Sequence, residues 1–205
     1  MITKNEIIAS SVPINANVSD EKLLPYIPVA LVQLKNILPS ALYAALQALY
    51  AEEVKDWSKT NGYVATDKVT HIEYAELKMW ESLTTNSNEE PTTANTTNWD
   101  ESELGTFLVG YVQPYLAHDV FYSYAVNGGI NTSHQGLQQV TNETAQPASG
   151  NALQAYLNYW SKQKNLIRRM MFDYLDTKDN NLDGTTYDSV DADRKKSRFQ
   201  IRAIG

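Results

Sequence analysis

The chain has 205 residues, a formal net charge of −7 and 42% hydrophobic residues, enough for one good core and too little for several enzymatic modules. Cysteine is absent, which excludes disulfides, thiolate nucleophiles and thiolate-held zinc or iron–sulfur sites. The charge is uneven: residues 190–205 carry five Lys/Arg against two Asp, +3, which leaves −10 for the rest, as expected of a tail that meets another surface.

At the N-terminus, Lys4 and Glu6 precede only a brief apolar stretch, too short for the h-region of a signal peptide. The chain therefore reads as made in the cytoplasm, and its sequons at Asn17, Asn95, Asn131 and Asn142 as chance products of an Asn/Thr-rich composition. Thr3 and Glu6 are placed as a capping box opening a short helical turn. Ser19 or Asp20 caps a helix whose Leu23, Leu24, Ile27, Leu31 and Leu34 recur at helical spacing, with Pro25 and Pro28 in its first turns. Pro39 suits the first position of a second helix, lined by Leu42, Leu46, Leu49 and Val54 and running towards Trp57. A third helix is predicted from about Lys68 to Leu83, carrying Ile72, Leu77, Met79 and Trp80.

Residues 84–98 are rich in Thr, Asn, Ser and Glu, so they are expected to form a surface loop that adds nothing to a core. A central core helix is predicted over residues 100–127, apolar on nearly every side beyond His118. Its apolar run from Phe107 to Val126 has bilayer-spanning length, but Gln113, Pro114, His118 and Asp119 interrupt it, which favours a soluble bundle over a membrane span. Gly128-Gly129 ends it. Residues 130–148 read as a small hairpin or extended loop. The last strong helix, 150–176, sets Leu153, Tyr156, Leu157, Trp160, Ile167, Met170, Met171 and Tyr174 on one side and Asn158, Lys162, Arg168 and Arg169 on the other. The expected fold is mainly α: a helical bundle over residues 1–176 with the polar insert 84–98, followed by a polar loop and an extended basic arm over 177–205. In that arm Arg198, Gln200 and Arg202 alternate with Phe199, Ile201 and Ala203 at the period of a strand. Arg194, Lys195, Lys196, Arg198, Phe199, Ile201, Arg202 and Ile204 are its candidate partner-binding residues; a solvated, frayed terminus is the plainer alternative.

Catalytic and metal chemistry finds little support. His71, His118 and His134 lie on three separate segments without a second histidine at ligand spacing. Phosphate-binding glycine loops and a nucleophile elbow are absent. Asp179-Asn-Asn-Leu-Asp-Gly184 matches the first half of a calcium loop, but Thr186 and Val190 stand where an apolar residue and a bidentate Glu are needed. With Asp188 as only a partial substitute, a polar turn after a helix is the expected role. No catalytic residue, metal or cofactor is assigned.

Several landmarks in order resemble the head-to-tail connector (adaptor or head-completion) proteins of tailed bacteriophages. They are Asp20-Glu-Lys-Leu-Leu-Pro-Tyr-Ile27 with Leu38-Pro-Ser-Ala-Leu-Tyr43, where Ser40 stands at a position the family commonly gives to Gly; Val112-Gln-Pro-Tyr-Leu-Ala117; and Asn131-Thr-Ser-His-Gln-Gly-Leu137, Pro147-Ala-Ser149 and the Tyr/Trp-bearing final helix. The resemblance implies a virion protein of the neck, assembled as a ring of about twelve copies through heterologous contacts. The ring would sit under the capsid portal, bind a downstream neck or tail protein, and pass double-stranded DNA without reading its sequence. An acidic body suits such a channel, because like charge keeps the duplex sliding. Membrane has no part in this reading. The alternatives are a non-catalytic carbohydrate- or protein-binding module using exposed aromatics such as Trp57, Trp80 and Trp99, and an enzyme whose carboxylates meet in a pocket.

Overall fold

In the computed structural model, which describes residues 2–3, 7, 20–52, 54–127, 132–133, 136–141, 144–147 and 150–188, the chain is mixed α/β rather than mainly α. Helices α1 (Asp20–Leu23), α2 (Tyr26–Ile37) and α3 (Ser40–Tyr50) lead into strands β1 (Val54–Asp56), β2 (Gly62–Tyr63), β3 (Lys68–Glu73), β4 (Glu76–Ser82), β5 (Asn86–Ser87) and β6 (Trp99–Ser102). Helix α4 (Glu103–Phe107), a π-helical turn at Leu108–Val112 and helix α5 (Gln113–Asn127) follow without a break. Strands β7 (Thr132–Ser133), β8 (Gly136–Thr141) and β9 (Thr144–Pro147) precede the 28-residue helix α6 (Gly150–Thr177), and the short pair β10 (Asn181–Leu182) and β11 (Thr185–Thr186) comes last. The long helices and the small antiparallel sheet at 132–147 agree with expectation. Two compact units are defined, one containing 34–112 and 171 onward, the other 2–33 and 113–170.

In the first unit, strands run in the order β1-β3-β4-β6, with β1 parallel to β3 and the other pairs antiparallel. The helix predicted over 68–83 is thus replaced by the β3–β4 hairpin, and the second helix stops at Tyr50, leaving Val54 to β1. The cause is packing: β-branched Val69, Thr70 and Ile72 suit a strand, and register pairs Val69 with Trp80 and Thr70 with Met79. One sheet face buries Val69 and Trp80 with Tyr63 and Trp99, and Trp57 packs against this cluster. Tyr63 and Trp99 meet edge to face at 5.3 Å, a favoured aromatic geometry. The 84–98 insert, expected to add nothing to the core, closes over it. The backbone carbonyl of Glu89 accepts both indole N–H groups, from Trp99 at 3.0 Å and Trp57 at 3.2 Å, and Pro91 is buried.

On the other face Met79 meets α4. Thr106 Oγ1 accepts from the Met79 N–H at 3.2 Å, and a Cβ added to Gly105 would lie 2.7 Å from Met79 Cβ. Gly110 also runs close to the sheet, since its Cβ would meet the Leu77 carbonyl at 3.4 Å. Helix α3 buries Leu42, Tyr43, Leu46 and Leu49 and packs against α4.

In the second unit, α1 lies against α5, and Tyr26 meets Tyr124 edge-on at 6.1 Å. The π-turn ends two residues before Pro114, which has no N–H to donate and whose ring would clash with the carbonyl four residues back in a regular helix; local widening of the helix accommodates it. Two of the polar residues that interrupt the apolar run, His118 and Asp119, have partners within it or on neighbouring helices. His118 Nδ1 donates to the Pro114 carbonyl at 2.9 Å, and Asp119, fully buried, takes an ion pair from Lys164 at 3.0 Å. Gln33, with its amide turned to donate, reaches both Asp119 oxygens at 3.1 and 3.2 Å. No helix among the described residues is long and apolar enough to cross a membrane. Phe107 is buried as its pattern implies, but Trp160 is only half-buried, and Tyr156 and Met170 are 44% and 49% exposed.

Two substitutions test this packing by thermal or denaturant unfolding. Gly105→Ala should cost ~1–3 kcal/mol because the Met79 side chain must be displaced. Lys164→Ala, which strands the buried Asp119 carboxylate, should cost ~3–5 kcal/mol. Wild-type unfolding midpoints in both variants would show that these contacts do not form.

Candidate interaction surfaces

The start of α4 gathers the residues that the sequence singled out as a half calcium loop. A helix N-terminus exposes backbone N–H groups without helical acceptors, and here three of them are met by side chains. Asp183 Oδ1 accepts from the Glu103 N–H at 2.7 Å and Oδ2 from the Leu104 N–H at 3.2 Å, while Ser102 Oγ accepts from the Gly105 N–H at 3.0 Å. Ser102 also donates to Asp183 Oδ2 at 3.0 Å, and Glu103 Oε2 accepts in return from the Asp183 N–H at 3.2 Å. Lys178 completes the knot as an ion pair to Glu103 Oε1. The Lys178 bond holds the Glu103 carboxyl below its ordinary value, with the Asp183 N–H assisting against burial.

Asp183 and Gly184, both at positive φ (50° and 77°), form the two-residue turn between β10 and β11, the type I′ geometry that Asp-Gly favours. The loop is thus a cap for a helix about 80 positions earlier in the chain. Tyr174 stacks on Phe107 at 5.7 Å and tilts against Tyr111 at 4.6 Å; burial, then nearby carboxylates, push its phenol up.

Carboxylates do meet in space on the aromatic face of the main sheet. Lys78 bridges Glu73 and Glu101 at 3.1 Å each, and Glu73 Oε1 accepts from the Thr93 N–H at 2.8 Å and hydroxyl at 3.0 Å. Burial raises the Glu73 carboxyl, but the Thr93 and Lys78 bonds outweigh it and leave it below its ordinary value. Burial lowers Lys78, and the two carboxylates outweigh that and leave it raised. An acid–base catalyst needs a group poised near working pH; here both partners are driven away from it, as in a structural ion pair. Burial pushes the His118 imidazole down against the opposing Pro114 bond, and Tyr115 is pushed up to about 12 by burial and the Asp119 carboxylate. Among the described residues no three His, Cys, Asp or Glu side chains group as metal ligands.

Two of the three aromatics named for carbohydrate contact are buried. Trp80 and Trp99 are buried, at 2% and 1% exposure, and Trp57 is half-covered with its N–H bound. His134 and the arm residues Arg194, Lys195, Lys196, Arg198, Phe199, Ile201, Arg202 and Ile204 lie outside the described residues.

Two exposed apolar features were missed by the helical reading. The tip of the β3–β4 hairpin presents Tyr74, 85% exposed, above the cross-strand pair Ile72 and Leu77, also exposed. On α6, Tyr159, Leu166 and Met170 are each about half exposed and, with exposed Lys162, recur at i, i+7, i+11 and i+3, one stripe of the helix.

These features define a mixed α/β protein of long helices and a four-stranded mixed sheet, with no assembled metal cluster among the described residues. The chain belongs to DUF6712, a family of unknown function, whose pattern matches residues 71–189, more than half of its length. Nothing among curated proteins or solved structures matches it.

Removing the cap should be measurable. Asp183→Ala is expected to cost ~1–2 kcal/mol. Because the Glu103 carboxyl is depressed when folded, its contribution is present above the ordinary 4.5 and is lost as pH falls through the folded value. Lys178→Met should therefore lose less stability than wild type when denaturant unfolding is repeated at acid pH. Equal acid sensitivity of the two proteins would show that Lys178 does not hold Glu103.

Proposed function

We propose that the chain is a structural virion protein that forms a ring beneath the capsid portal, joining head to tail and extending the DNA channel. The observation that carries this reading is the position of the landmark residues within the fold. Leu38-Pro39 forms the turn between α2 and α3, Pro114 to Ala117 lie in the long central helix, Thr132 and Gly136-Leu137 fall on β7 and β8, and Pro147 closes β9 ahead of α6. Helix pair, long helix and long final helix thus follow in the order that the resemblance implies, while the four-stranded sheet between the first two is an element it does not include. The acidic body, −10 before residue 190, favours a channel that DNA passes without sticking. The exposed apolar tip and stripe supply surfaces of the kind that protein contacts cover.

The test is to mix the chain with rings of the portal protein of the same virus and image the product by negative-stain electron microscopy. An annular layer stacked on the portal is expected, and a variant ending at Ser189 should fold but lose the attachment if residues 190–205 are the docking arm. A folded full-length chain that leaves portal rings bare, and that mass spectrometry does not find in purified particles, would sink the reading. Undiminished binding by the truncated form would remove the arm from it.

A further inference from the structure

Two type I′-like turns among the described residues differ in the residue types they use. Where the turn serves an internal bond, at Asp183-Gly184, it uses residues that accept positive φ easily. At the β3–β4 tip, Tyr74 and Ala75 both adopt it, at 51° and 67°, although neither residue type favours that region. Strain of this kind persists where surrounding structure or function maintains it. Its product here is an aromatic ring held almost wholly in solvent above two exposed aliphatic side chains. At the tip Glu76 is exposed, while Glu73 is buried and already paired with Lys78. The α6 stripe is the complement: exposed Lys162 lies in a run, residues 154–170, that holds no carboxylate, in a chain of net charge −7. The stripe offers Tyr159, Leu166 and Met170 around Lys162 over ~16 Å of helix.

We infer that the β3–β4 tip of one copy docks on the α6 stripe of a second copy, Tyr74 and Leu77 against Leu166 and Met170, with Glu76 facing Lys162. The two patches are different surfaces of one chain, so the contact is heterologous and runs head to tail, the type that closes into rings or continues into fibres. This rests on the ring reading above and names the surfaces that would build the ring. Apolar area supplies the attraction and opposite charge sets the register.

The experiment uses the full chain and sedimentation velocity. The tip variant is Tyr74→Asn with Ala75→Gly, which installs the favoured turn, so its monomer should melt no lower than wild type while losing the protruding ring. The stripe variant is Lys162→Glu with Leu166→Ser, both at exposed positions. Wild type should form a closed oligomer, each variant alone should be monomeric, and an equimolar mixture should give a 1:1 pair and nothing larger, because one intact tip meets one intact stripe. Rings from the tip variant equal to those of wild type would overturn the contact and leave the ring reading standing. Open fibres from wild type, lost in the tip variant, would support the contact and sink the ring. A mixture of folded variants that stays monomeric would overturn the contact, and a wild type that stays monomeric at ~1 mM, where even weak pairs form, would overturn both.

Discussion

The open N-terminus of the helix that begins at Glu103 sets the constraint on which much of the sheet-bearing unit depends. Unmet N–H groups at a buried or half-buried helix start are costly, and this chain meets them with groups drawn from two distant places. Ser102 comes from the end of β6 and Asp183 from the turn after α6. The sheet, the central helix and the end of the long helix therefore share one hydrogen-bonded joint. Tyr174, in the last turn of α6, and Lys178, just past its end, contact the same first turn. With the helix start held, Gly105 lies against Met79, and that close approach brings α4 onto the sheet.

Among the described residues, the buried carboxylates are met by partners of opposite charge or by hydrogen-bond donors. Glu73 is closed in by Lys78 and Thr93, and Asp119 by Lys164 and Gln33. Such pairs add little net stability relative to an apolar replacement, but loss of one partner leaves the other expensive to keep buried. They act as registers for their surroundings. Lys78 draws Glu73 and Glu101, on the strands either side of β4, towards one point on the sheet face.

The long helices were legible because a helix enclosed by neighbours is apolar over its length, as α5 is, and because caps and prolines mark boundaries. The β3–β4 hairpin was not, and the reason lies in four residues. Alternation along a strand reveals its buried face only if buried positions are apolar. Here Glu73 and Lys78 occupy covered positions, while Ile72 and Leu77 stand in solvent. The tip carried no warning either, since Tyr-Ala is not a turn signal in the way that Asn-Gly is. The polar turn at Asp179–Gly184 was readable from its composition, but its purpose was not. Its acceptors serve N–H groups some 80 residues away, and no local pattern encodes a partner at that range. The α6 stripe was not legible either: the apolar side read from spacing left out Tyr159 and Leu166, and sequence alone does not say which side of a helix is left uncovered.

One consequence of the insert's anchorage concerns how the sequence can drift. The clasp on Trp57 and Trp99 is a main-chain oxygen, that of Glu89, and every amino acid carries the same carbonyl. Replacement of the Glu89 side chain leaves the acceptor in place, as do changes at neighbouring exposed positions that preserve the local backbone. The two tryptophans are the half of the clasp that depends on side-chain identity. The outer surface of the loop can therefore change without loss of its seat, which rests on two indoles and one main-chain oxygen.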